Sequence, residues 1–148
     1  MFGFDTAVHL TIRRHWLSVR VVPRRGEAVQ AAGIAQAAMH QTSKSVCVAI
    51  GEEAAAFAEA RDVVITNAFC HPRILIAGFD DALIVVRGFL QRAFDAKKIP
   101  SHFRLTIYVP GDLEGGLTDI EERALIELGM RLGGHNVTVQ RSAEDQQK

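Results

Sequence analysis

Three groups of residues in this chain have side chains and spacing that could do chemistry. Asp112, Glu114, Gly115 and Gly116 make a loop rich in glycine and acid. Neither Lys nor Ser/Thr stands there in Walker-A spacing, and clustered acids repel phosphate unless a metal bridges them, so a solvated loop fits better. Cys47, Cys70 and His71 offer sulfur and nitrogen ligands. Zinc asks for ligand pairs at C-x₂₋₄-C or H-x₃₋₅-H spacing, and these three residues make neither pattern. Cys47 lies within an apolar run and reads as a small core hydrophobe, while His71 before Pro72 reads as a turn residue. Arg13, Arg14, His15, Arg20, Arg24 and Arg25 form the most basic stretch. It fits an anion, nucleic-acid or partner patch, and equally a charged edge that keeps a strand from pairing with other molecules. Trp16 is the only aromatic in it, which weakens single-strand binding, and no nucleic-acid partner is expected. No metal and no cofactor are expected either.

The elements that must position these residues follow from periodicity. Ala7 to Ile12 and Trp16 to Val21 alternate apolar and polar residues, the pattern of half-buried strands, with Arg13-Arg14-His15 as a tight connection. Beyond the Pro23-Arg24-Arg25-Gly26 turn signal, Ala28 to Met39 reads as one alanine-rich strand and Lys44 to Ile50 as a fourth. Glu52 to Ala60 has high helix propensity. Val63–Ile65 and Ile74–Ile76 are brief extended pieces. Asp80-Asp81 is placed to cap an amphipathic helix reaching Phe94, with Leu83, Val86, Leu90 and Phe94 on one face. Phe103 to Val109 is the best strand in the sequence. Thr118-Asp119-Ile120-Glu121 is a capping box that opens a helix to Leu132, which Gly133-Gly134 ends. His135 to Val139 is a last strand, and 142–148 a disordered polar tail. Strands first, then a helical middle, then strand–helix–strand with a parallel crossover make the class mixed α/β.

Composition sets the outer bounds. The chain has 148 residues, 17 basic and 17 acidic side chains, and a formal net charge of +0, so no global field draws it to nucleic acid or anionic lipid. At 48% hydrophobic and 23% charged it reads as an ordinary globular domain. No apolar run approaches the roughly 20 residues of a membrane span. The start, Met1 to Asp5, lacks the pattern of a signal peptide, and two cysteines build no disulfide framework. The expected compartment is the cytoplasm.

Several strings in this order resemble the bacterial actin family of MreB-like, rod-shape-determining proteins, specifically its N-terminal lobe. Ser45 to Ala54 is similar to the strand-to-helix step ending "VG-x-x-A". His71 to Ala82 is similar to "RPMKDGVIADFFVTEKML". Arg104 to Pro110 followed by Thr118 to Leu125 resembles "VCVPVGATQVERRAI", and Gly133 to Val139 resembles "GAREVFLI". Ala7 to Val19 lies without gaps on "SIDLGTANTLIYV". The resemblance implies a ribonuclease-H-like, actin-type lobe over 1–141, with a mixed five-stranded sheet, flanking helices and a small inserted subdomain at about 39–79.

It also implies what should be lost. In the family's first phosphate loop an Asp and a Gly precede Thr or Ser; here those places hold His9, Thr11 and Ile12. Glycine lets a backbone approach phosphate and the carboxylate serves the metal, so the loop is degenerate. Glu121 falls on the family glutamate that positions the attacking water. Without phosphate and metal one carboxylate catalyses nothing, and the capping role of Glu121 prevails. The chain stops after the last strand of the lobe, so the second lobe is expected to be absent. The expectation is a non-catalytic actin-like half that acts by protein–protein interaction, as a homo-oligomer or on a bacterial actin filament linked to cell shape. The alternative is an ATP-binding actin-like protein completed by a second chain. A lobe without its mate should bury apolar surface by association. The unbroken Leu83-Ile84-Val85-Val86 run is more apolar than one helix face needs. Arg13, Arg14, Arg20, Leu83 and Val86 are accordingly the expected interaction residues.

Overall fold

The computed structural model describes residues 6–41, 47–69, 76, 78–94, 99–100, 102–110 and 117–142. The acidic loop Asp112 to Gly116, Cys70, His71, the Ile74-Leu75 piece and the tail from 143 lie outside the described residues.

Alternation in the first third builds an antiparallel meander. β1 (Ala7–Arg13), β2 (Trp16–Val22) and β3 (Val29–Ile34) pair in sequence, with Val8, Leu10 and Ile12 opposite Val21, Val19 and Leu17. Those six side chains are at most 1% exposed, so one face of the meander is fully covered. β7 (Phe103–Pro110) then adds parallel to the free side of β1, and β8 (Gly134–Ser142) parallel to β7, giving a five-stranded mixed sheet ordered β3-β2-β1-β7-β8. Parallel neighbours need a crossover, and α2 (Asp119–Arg131) supplies it between β7 and β8. α1 (Phe79–Ala93) lies over β2 and β3 and touches α2, so both helices cover the same face. Phe89, Leu90, Leu125 and Leu128 meet the strand residues there in one core.

A second, three-stranded antiparallel sheet, β5-β4-β6, occupies 37–66 and begins two residues before the stretch of about 39–79 expected as an insertion. Its strands are β4 (Ala37–His40), β5 (Cys47–Ile50) and β6 (Val63–Thr66). The single strand expected from Ala28 to Met39 is therefore two strands in two sheets. They break at Ala35-Gln36, where the Ala35 N–H donates to the His15 carbonyl and the Gln36 amide donates to the Gly51 carbonyl. The helix expected over Glu52 to Ala60 is a 3₁₀ helix, Gly51–Phe57. Its covered residues, Gly51 and Ala54, are three apart, which suits three residues per turn.

α1 is covered on two sides by the chain itself. Val85 and Val86 are each 1% exposed in the core, and Leu83 and Ile84 pack partly buried against it. On the flank facing β5 a Cβ at Gly88 would stand 2.9 Å from Ile50. The run Leu83 to Val86 is thus explained by intramolecular packing, and Val86 has no surface to offer a partner. Asp80 and Asp81 sit in the first turn, where they complement the helix dipole, while Gly78 is the N-cap and no side chain caps the helix.

Candidate functional site at the carboxyl rim of the sheet

In open α/β sheets ligands gather beyond the carboxyl ends of the parallel strands. Here that rim is formed by the ends of β1 and β7, because Thr11 pairs with Tyr108 and both strands run on in step. It carries the β1–β2 connection and, after β7, the start of α2. These are the places where the sequence put a degenerate phosphate loop and Glu121.

The β1–β2 connection is closed. The ladder continues to the Arg13–Trp16 pair, leaving only Arg14 and His15 as turn residues. His15 takes φ 65°, a left-handed conformation that a side chain disfavours. Its N–H donates to the Phe69 carbonyl at 3.1 Å and its carbonyl accepts from Ala35, so residues flanking the second sheet, before β4 and after β6, lock the turn. A phosphate cradle needs several backbone N–H groups turned toward the ligand. Here the N–H of His15 is spent on protein and the residues before the turn belong to the ladder. Ile12, at the family's hydroxyl position, is 0% exposed and points into the core.

His9 and Thr11 alternate onto the other face, where no helix covers the sheet among the described residues. Register aligns Gln30, Arg20, His9, Thr106 and Thr138 in one row across it, and Ala32, Ser18, Thr11, Tyr108 and Gln140 in the next. No strand of this sheet carries an Asp or Glu, so Arg20 and Arg104 give the face a positive potential. The rings of His9 and Tyr108 stack at 5.7 Å, with Nδ1 of His9 3.2 Å from the Tyr108 hydroxyl. Partial burial, then the charges of Arg20 and Arg104, hold His9 below the usual histidine range. The neutral imidazole so favoured can accept from that hydroxyl. His9 is thus committed to Tyr108, an environment hostile to a cation, where a metal-serving carboxylate would need the opposite.

Glu121 sits at N3 of α2 with both halves of a capping box made. The Thr118 hydroxyl accepts from the Glu121 N–H at 3.1 Å, and the Glu121 carboxylate accepts from the Thr118 N–H at 3.2 Å. The same carboxylate accepts from the Thr118 hydroxyl at 3.0 Å.

Of the expected interaction residues, Arg14 and Arg20 are exposed and Arg13 is half-buried at the turn, whereas Leu83 and Val86 lie on α1 under the other face. The structure does not bring the arginines and the aliphatic pair into one patch. Cys47 is a correction. It is exposed, at the start of β5 on the edge of the small sheet. It borders an open cleft of about 410 Å³ between β5 and α1, with Ile84, Arg87 and Arg92 on the far wall. Partial burial pushes its thiol up, so it is a weak nucleophile there. Among the described residues no three His, Cys, Asp or Glu side chains are grouped to hold a metal, and no helix is long and apolar enough to cross a membrane.

The sequence missed the cross-sheet rows: nothing in its order announces that Arg104 and Tyr108 join Arg20 and His9 on one face. The alternation of β7 was the available signal, since it puts Arg104, Thr106 and Tyr108 on one side, but the pairing partner was not legible.

No family model matches the chain, and no curated protein matches it in sequence. Its fold is that of bacterial actin proteins. The structure of MreB5 of Spiroplasma citri bound to ADP superposes with a TM-score of 0.67 at 15% identity, covering 93% of this chain and 38% of that one. A non-polymerising mutant of MamK bound to AMPPNP gives 0.60 at 12% identity, with 93% and 41% covered. The MamK double helical filament gives 0.57 at 13% identity. The chain thus spans well under half the length of the structures it matches, and the shared property is the mixed five-stranded sheet with its helices.

Proposed function

We propose that this chain is a non-catalytic actin-like half that works by protein–protein association, with copies of itself or with a bacterial actin filament of the kind linked to cell shape. The observation that carries the reading is the closed β1–β2 turn. An actin-type fold that kept nucleotide chemistry would need free backbone N–H groups and a carboxylate at this rim. In their place stand a two-residue turn tied to Phe69, a buried Ile12 and a histidine committed to Tyr108. Glu121 then keeps only its structural work at the start of α2. A fold relieved of catalysis still presents surfaces, and similarity to a protein solved as a double helical filament makes association the function to test. In this reading residues 1–141 form one lobe, with the small sheet as its insertion.

Multi-angle light scattering of the purified chain, alone and mixed with a full-length bacterial actin such as MreB5, tests the proposal. A dimer, a larger assembly or a co-complex is the expected result. A species that stays at the 16.2 kDa chain mass at every concentration and ignores the actin would overturn it.

A further inference from the structure

One stripe of α1 faces the edge strand of the small sheet across an open cleft. Ile84, Arg87, Gly88, Gln91 and Arg92 recur at i, i+3, i+4, i+7 and i+8, so they share one side of the helix. β5 forms the opposite wall of this cleft of about 410 Å³. The two walls touch where a Cβ on Gly88 would stand 2.9 Å from Ile50. Burial is deep there, Ile50 being 8% exposed, and is lost toward Cys47 and Val48, which are both exposed. β5 pairs with β4 on one side only, so its outward backbone groups have no strand beside them among the described residues. A row of unpaired N–H and C=O groups is a template for another strand.

The geometry points to a binding site for an extended, acidic segment of another protein, which adds to β5 as a fourth strand of the small sheet and turns its carboxylates toward α1. Strand addition draws affinity from main-chain hydrogen bonds and selectivity from alternate side chains. Charge fixes the kind of partner. The lining carries two cations, Arg87 and Arg92, and one carboxylate, Glu53. No carboxylate among the described residues pairs with Arg87, whose guanidinium donates to the Arg131 carbonyl at 3.1 Å. Arg92 holds Glu53 at 3.2 Å, with side chains 40% and 73% exposed, and such a pair contributes little and exchanges easily. Both arginines can therefore take a carboxylate from a partner. No aromatic ring stands among the described lining residues for a base to stack on, so a nucleic acid fits the cleft less well. The four residues of β5 span about 13 Å, which suits a partner strand of about four residues. So small an interface belongs to the weak class, with a Kd on the order of 0.1 mM. The site goes beyond the association proposed above, since it needs neither a second copy nor a filament.

Fluorescence anisotropy with a labelled eight-residue peptide of alternating valine and glutamate, its ends blocked, tests the site against a valine–lysine counterpart. The glutamate peptide should bind saturably and at least about tenfold more tightly than the lysine peptide. Arg87→Glu and Gln91→Glu should each weaken it by about tenfold. Both positions are exposed, and matched urea midpoints check that the fold is kept. N-methylation separates strand addition from charge alone, because alternate N–H groups of a strand point to opposite edges. Methylating one alternate set of the peptide's nitrogens should abolish binding, and methylating the other set should spare it. Cys47 reports the place: bound peptide should slow its alkylation by iodoacetamide several-fold, read by mass spectrometry of the fragment that carries it. Absence of binding up to millimolar glutamate peptide would overturn the proposal. Equal binding of the two methylated peptides would overturn strand addition, and binding that leaves Cys47 and both variants unaffected would overturn the site. Tighter binding of a single-stranded oligonucleotide, lost in Arg87→Glu, would assign the cleft to nucleic acid instead.

Discussion

The capping box of α2 offers a quantitative separation of structural from catalytic carboxylate. Thr118→Ala removes the hydroxyl that accepts from the Glu121 N–H and donates to the Glu121 carboxylate. Loss of such an N-cap costs about 1 kcal/mol, within a range of roughly 0.5–2. For a chain of this size that lowers the melting temperature by about 4 °C. With a typical urea slope of about 2 kcal/mol/M the midpoint falls by about 0.5 M. Glu121→Gln keeps an acceptor within reach of the Thr118 N–H and gives up only the attraction between its charge and the helix dipole. That is about 0.3–1 kcal/mol at an exposed helix end. The two side chains serve each other, so Thr118→Ala combined with Glu121→Ala should cost less than the sum of the singles. Urea unfolding followed by circular dichroism measures all four chains. The reasoning fails if Glu121→Gln costs as much as Thr118→Ala, or if the double variant is strictly additive. It fails more seriously if Glu121→Gln abolishes an activity while leaving stability intact.

Other consequences can be checked on the same material. Gly129→Ala should destabilise by about 1 kcal/mol or more despite better helix propensity, because its Cβ would stand 2.8 Å from both Leu105 and Val137, and overpacking outweighs propensity. Val86→Ala should cost about 2 kcal/mol in urea unfolding without altering the oligomeric state, since the side chain is core and not interface. His9 is held below the ordinary histidine pKa by burial and by Arg20 and Arg104, so protonation favours the unfolded chain. Its contribution to stability is present above about pH 6.5 and is lost as pH falls through the depressed value. Thermal melts between neutral and mildly acidic pH should therefore show a steeper decline in wild type than in His9→Asn.

How much of this was legible depended on the kind of signal. Strict alternation announced β1, β2 and β7, and the Thr118–Glu121 spacing announced the start of α2 to the residue. Each of those patterns is local, and local physics decides it. Ala28 to Met39 was misread as one strand because small side chains leave little periodicity, while the break depends on Ala35 and Gln36 meeting partners far away in sequence. Cys47 was expected in a core because its neighbours are apolar; it is exposed because it starts β5, an edge strand whose first two residues are both exposed. The Leu83 to Val86 run is more apolar than one helix face needs, and a partner was expected to cover its second side. The second side, however, is supplied by the chain's own small sheet and α2, a long-range fact that no helical wheel contains. The closed rim was half legible: His9, Thr11 and Ile12 showed the loss of glycine and carboxylate. The lock on His15 by Phe69 appeared only in three dimensions.

Isothermal titration calorimetry of the chain with Mg-ATP at physiological ionic strength reaches the central claim most directly. With the β1–β2 turn closed on Phe69, Ile12 buried and His9 bound to Tyr108, the proposal expects no cradle for a triphosphate or its magnesium among the described residues of the rim. Arg14 and Arg20 can attract phosphate only weakly, and salt at that strength screens them over a Debye length of about 8 Å. The account predicts heats no larger than dilution, with or without magnesium. A saturating, magnesium-dependent isotherm in the micromolar range would contradict it and make an ATP-binding chain the better description.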